Sequence, residues 1–229
     1  MYALPPAMVA GEVVRMQTSQ HVVALTFDGG ANADAAKRVL SILRREDVPA
    51  TFFLTGQFVE TYPALARAIG RRYPVCNHTV DHLDLRRMPT AQAEREVVRA
   101  GEMIERATGR DTRPCFRFPY GARDETTLRL VNRLGYTSVR WTVDTWGWMG
   151  RSQQTVAGAS RRVLDSLLPG EIVLMHLGSS RDGSTIDSHA LPGVIRAVRA
   201  RGYRFVTLAG LRSPRRSVDR PGSRLGHRP

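Results

Sequence analysis

Several scarcities bound the reading of this 229-residue chain. Only Lys37 among its 34 basic residues is a lysine, there are two cysteines, and aromatic residues make up 7%. No stretch reaches the run of about 18–20 apolar residues that a spanning helix needs, which predicts no membrane span. The first twenty residues lack the basic-then-apolar layout of a secretory signal, so any export signal is expected to be absent or to lie outside this chain. Two cysteines are too few for a disulfide scaffold, and Cys76 and Cys115 do not have zinc-ribbon spacing. No internal repeat is visible.

What is present is a soluble, globular composition: 42% hydrophobic and 24% charged residues are enough for a buried core and exclude general disorder. The length suits one large domain. The formal charge is +13, and +5 of it falls in the stretch from Arg212 to the end, where Pro, Gly, Ser and Arg dominate. The domain reading is a lead-in over 1–20, one folded domain over 21–211 and a basic, disordered tail over 212–229. A basic surface suits a polyanionic partner, but no nucleic-acid motif accompanies it, and no specific nucleic acid is expected.

Short β-branched runs alternate with amphipathic stretches. Strand-like runs cover Val22–Phe27, Ala50–Thr55, a short segment near Val75, Cys115–Phe118, Ser138–Asp144, Glu171–His176 and Tyr203–Leu208. Helical faces are expected at Ala36/Val39/Leu40/Leu43, at Val97/Val98/Met103/Ile104 and at Leu191/Val194/Ile195/Val198. Gly70, Gly135, Gly170 and Gly202 are expected to end helices before strands. This alternation predicts an α/β fold of parallel strands in a single domain, either an open doubly wound sheet or a closed barrel, and about seven such units favour the (β/α) barrel.

Catalytic groups of such folds collect at the carboxyl ends of the strands. Asp28 ends the first run, His78 and His82 follow the third, Arg117 and Tyr120 close the fourth, Asp144 ends the fifth and His176 the sixth. His78 and His82 are spaced i,i+4, which on a helical turn puts both imidazoles on one side, able to hold a zinc-like ion. Asp28, followed by Gly29-Gly30, can serve as a general base, and His176 as a general acid. Trp141, Trp146 and Trp148 near Asp144 offer flat faces for sugar rings.

The ordered series TFDGG (26–30), NHTVDH (77–82), FRFPYG (116–121), WTVDTWGW (141–148) and IVLMH (172–176) resembles the polysaccharide deacetylases, NodB-like carbohydrate esterases, over roughly residues 20–210. The resemblance implies a distorted barrel that removes acetyl groups from glycans such as peptidoglycan or chitin-like N-acetylglucosamine polymers, with a divalent metal, zinc or cobalt. It implies His78 and His82 as metal ligands, Asp28 as base, Arg117 holding Asp28, and the Tyr120 amide stabilising the oxyanion. His176 would be the acid, supported by Asp144, with Trp148 and Leu174 lining the acetyl pocket. An extracytoplasmic monomer is expected, acting on an acetylated glycan.

Two departures stand out. Gly29 takes the place where the family pattern has a third, aspartate metal ligand, so water with Asn32 or Asp34 nearby is expected to complete the site. This departure also motivates the alternative of a catalytically weak, glycan-binding relative. Gly147 stands where many relatives carry an acid before the tryptophan, leaving Asp144 as the only carboxylate of that motif. Cys76 and Cys115 are expected as neighbouring buried thiols.

Overall fold

The computed structural model describes residues 12–30 and 32–208. The elements run β1 (Glu12–Val13), β2 (Val22–Gly29), α1 (Ala36–Arg45), β3 (Thr51–Leu54), α2 (Gly56–Thr61), α3 (Pro63–Arg72), β4 (Val75–Asn77), α4 (Thr90–Thr108), β5 (Cys115–Phe116), α5 (Glu125–Arg133), β6 (Thr137–Val139), β7 (Val143–Asp144), α6 (Val156–Asp165), β8 (Glu171–His176), α7 (Ile186–Ala200) and β9 (Arg204–Val206). The basic tail expected over 212–229 lies outside the described residues, as do residues 1–11 of the lead-in. Glu12–Val13 pairs with β6, so the sheet begins within the first twenty residues.

Among the described residues the sheet has nine strands, all paired in parallel, in the order β1-β6-β5-β4-β3-β2-β8-β7, with β9 against the start of β2. It curls into a distorted barrel. β2 is buried along its whole length, as a central parallel strand covered on both faces must be. The single run expected over 138–144 is two strands. β6 lies between β1 and β5 while β7 joins β8, because the chain turns across the gap between them. There Arg140 N–H donates to Val13 O, the Thr142 hydroxyl to Val14 O, and Ile172 N–H to the Thr142 hydroxyl.

Strand alternation sorts the core into two layers. Val22, Ala24, Phe53, Cys76, Cys115 and Ile172 fill the inside of the curl. Val23, Leu25, Phe27, Phe52, Leu54 and Met175 face the helices, meeting Val39, Ile69, Ile104 and Val194. The α4 face departs from expectation: Ala93, Val97, Ala100 and Ile104 are buried, and Val98 is exposed. Gly70 lies inside α3 rather than ending it, where a Cβ would meet Thr108 of α4 at 2.6 Å, so its role is close helix approach.

Cys76 and Cys115 form a disulfide between β4 and β5, their Cα atoms 5.2 Å apart. The expected free thiols are thereby corrected: both side chains point into the barrel from adjacent strands, at the separation a disulfide requires.

Candidate active site

The residues that follow the inner layer by one step of alternation form the rim. Asp28 stands two residues beyond Thr26, His78 beyond Cys76, Arg117 beyond Cys115 and His176 beyond Leu174, so four strands aim these side chains at one mouth. In the β2/β8 register Asp28 pairs with His176 and Thr26 with Leu174.

Arg117 is fully buried and organises this face. Its guanidinium donates to Asp28 Oδ1 at 2.6 Å, to the Thr26 hydroxyl at 3.0 Å, and to the carbonyls of Val139 and Arg140. It also lies 3.9 Å above the Phe53 ring. A buried arginine in an apolar barrel requires this degree of hydrogen bonding to offset desolvation. Burial alone would raise the Asp28 pKa, but the charges of Arg117, His78 and His176 and the Arg117 hydrogen bond outweigh it, holding the carboxyl below its ordinary range. Asp28 is therefore an anion at neutral pH.

His78 Nδ1–H donates to Arg117 O at 2.8 Å, which leaves Nε2 with its lone pair, 3.4 Å from Asp28 Oδ2. Burial depresses the His78 pKa despite the Asp28 charge. Burial, with the nearby His78, pushes His82 down to about 4. The two rings meet edge-on, their centroids 4.7 Å apart. The helical turn expected for the HxxxH segment is not there. Residues 78–82 are an irregular loop with Thr79 and His82 at positive φ, and the Thr79 hydroxyl accepts His82 N–H. The loop folds the rings together by left-handed turns rather than by helical periodicity.

Two neutral imidazoles side by side, one held by a carbonyl bond to its far nitrogen and facing a carboxylate with its bare lone pair, suit a divalent cation. Among the described residues no cluster of three or more His, Cys, Asp or Glu is placed to hold a metal. Gly29 points away from the mouth: a Cβ there would meet Leu54, Leu177 and Phe58. Asn32 and Asp34 are both engaged with Ser179, Asn32 Oδ1 accepting its N–H at 2.8 Å and Asp34 Oδ2 its hydroxyl at 2.6 Å.

Tyr120 sits in a tight 3-10 turn at φ 59°, its ring edge-on to His82 and largely exposed. Trp146, also left-handed at φ 59°, and Trp148 are exposed nearby. Such non-glycine residues in left-handed conformation cost energy and collect where function fixes them. Leu174 is buried on the inner face of β8, below His176.

Asp144 does not orient the His176 ring by a hydrogen bond. Its carboxylate accepts Trp146 N–H at 2.8 Å and Trp148 Nε1–H at 3.0 Å, and burial raises its pKa. His176 Nδ1 instead lies 3.3 Å from Asp187 Oδ2, a residue of α7 that sequence reading missed. Burial alone would lower the His176 pKa; Asp187, Asp28 and Asp144 together raise it above the ordinary value.

Comparison with known proteins places this geometry. The polysaccharide deacetylase family model matches residues 15–139. A chitooligosaccharide deacetylase of Azorhizobium caulinodans is 33% identical, over 89% of this chain and 91% of its own. A peptidoglycan-N-acetylglucosamine deacetylase of Bacillus cereus is 32% identical over 82% of this chain and 67% of its own. The crystal structure of a CE4 family pseudoenzyme from Bacillus anthracis superposes with a TM-score of 0.79 at 26% identity, covering 91% of this chain and 69% of that one. The chain belongs to the polysaccharide deacetylase family, whose curled parallel-strand barrel it shares.

Proposed function

We propose that the protein hydrolyses acetyl groups from an N-acetylglucosamine polymer, peptidoglycan or chitin-like, outside the cytoplasm and as a monomer. The observation that carries this is Asp28, held as an anion by buried Arg117, facing His176 across the β2/β8 register with His78 and His82 beside it. Both curated relatives described above are named for N-acetylglucosamine or chitooligosaccharide deacetylation. The Cys76–Cys115 disulfide supports an oxidising compartment.

In this reading Asp28 takes a proton from the attacking water, and Arg117 keeps its carboxylate aimed and ionised. His78 and His82 would hold the divalent cation, zinc or cobalt, which supplies Lewis-acid polarisation of the acetyl carbonyl and acidifies the water. The Tyr120 amide donates to the developing oxyanion. His176 gives its proton to the departing amine nitrogen as the C–N bond breaks, and its charge is favoured by Asp144 and Asp187. Leu174 and Trp148 line the acetyl pocket, and Trp146 and Tyr120 offer exposed rings to the flanking sugars.

Gly29 favours a second reading, glycan binding without turnover, because the space beside it is filled by Leu54, Leu177 and Phe58 and, among the described residues, no further carboxylate completes the metal site. Acetate release from chitooligosaccharides and from peptidoglycan, measured after chelation and after zinc or cobalt is added back, separates the two. Metal-restored release supports the hydrolase. Glycan binding with no release under either metal supports the binder.

A further inference from the structure

The carboxylate that touches His176 comes from an unexpected element. Asp187 lies in the first turn of α7 and is buried. Its Oδ2 accepts the His176 backbone N–H at 2.9 Å and faces the ring Nδ1 at 3.3 Å, while its Oδ1 accepts the Thr145 hydroxyl at 2.6 Å. The carboxylate is thus tied at both oxygens and cannot swing away from the imidazole without breaking bonds to the end of β8 and to the residue that follows β7. An anion in the first turn of a helix is also favoured by the helix dipole.

Gly147 shows why no side chain before Trp148 can do this. A Cβ built at Gly147 would run into the Asp187 carboxylate itself, at Oδ1, Cγ and Oδ2 together. The volume into which a side chain at position 147 would grow is the volume that Asp187 fills from α7. The glycine is therefore the complement of the aspartate: one position is emptied so that another can reach the same point. Asp144, the remaining acid of that segment, is committed to Trp146 and Trp148.

We infer that Asp187 is the positioning residue of His176, delivered from α7 into the space left by Gly147, holding Nδ1 as the protonated ring nitrogen and leaving Nε2 for the leaving group. The catalytic part of this role rests on the deacetylase reading; the contact with His176 does not. The logic is that of a buried carboxylate fixing the tautomer of a catalytic imidazole and stabilising its charged form.

The test has a spectroscopic arm and a kinetic arm. In histidine-15N-labelled protein, with His176→Gln to assign the signals, the Nδ1–H resonance of His176 is expected to be present and to shift or vanish in Asp187→Asn and Asp187→Ser. An unchanged resonance in both variants overturns the inference, whatever the activity. In the kinetic arm, Asp187→Asn is expected to lower kcat by on the order of 10²–10³-fold, by analogy with other carboxylate-imidazole pairs, with KM changed less than about twofold. Gly147→Asp placed in the Asp187→Ser background brings a carboxylate-bearing side chain into the vacated space and is expected to regain at least about tenfold in kcat. A folded double variant no more active than Asp187→Ser overturns the shared-position argument. If wild-type protein releases no acetate while the Nδ1–H signal still depends on Asp187, the deacetylase reading fails and the contact stands. Should Asp187→Ser fail to fold, the isosteric Asp187→Asn carries both arms.

Discussion

Asp28 and His176 are register partners on adjacent parallel strands, so one sheet pairing sets the base and the acid of the proposed reaction on the same side of the mouth. Neither depends on a loop for its position. The imidazoles of His78 and His82, by contrast, are brought together by a loop with two left-handed residues.

Arg117 is the structural partner on which Asp28 depends. Arg117→Ala leaves a buried carboxylate without its counter-charge and opens a void beside Phe53, so chemical denaturation is expected to show a loss of about 3–5 kcal/mol. Arg117→Lys can restore the charge but not the fork that reaches Asp28, Thr26 and two carbonyls, and is expected to recover only part of it.

Gly29→Asp does not restore a metal ligand. The new carboxylate enters the apolar contact among Leu54, Leu177 and Phe58, and thermal unfolding is expected to reveal destabilisation of about 2–4 kcal/mol with no gain in zinc affinity by calorimetric titration. Tighter zinc binding at unchanged stability would show that the strand end turns to face the mouth.

Removing the disulfide with Cys76→Ser and Cys115→Ser together frees a loop of 39 residues' separation in the unfolded chain. Chain-entropy arguments put the loss at about 3–4 kcal/mol, readable as a lowered denaturation midpoint. An equal midpoint for oxidised and doubly substituted protein would contradict the structure.

Glu171 is buried at the start of β8, with Ser166 donating to Oε2 and, among the described residues, no partner for Oε1, and burial pushes its pKa up to about 7. A carboxyl whose folded value is raised favours folding in its protonated form. Its contribution is full below the unfolded value near 4.5 and is lost as pH rises through about 7. Glu171→Gln is therefore expected to exceed wild type in stability by about 2–3 kcal/mol at pH 8, the gap closing toward pH 4, as measured by urea unfolding at both values.

Much of this was legible in the chain. Every strand-like run contains a strand, and the chemistry-bearing residues at their ends converge because parallel strands share one carboxyl edge. Asp28, Arg117 and His176 come together for that reason alone. What periodicity could not show was anything fixed by the third dimension. The Ser138–Asp144 run reads as one apolar strand, yet its two ends pair with different neighbours. Cys76 and Cys115 become adjacent only through strand order. Asp187 looks like an ordinary first-turn acid of a helix; its one signal was the missing side chain at Gly147, a vacancy that points to a filler without naming it.

The covalent staple between β4 and β5 sits one alternation step beneath His78 and Arg117, two residues that are themselves joined by the ring-to-carbonyl bond. A reductant acting on the sulfurs would thus loosen the floor on which an imidazole and the carboxylate clamp both stand, and thiol chemistry deep in the barrel would reach the mouth without any reagent entering it.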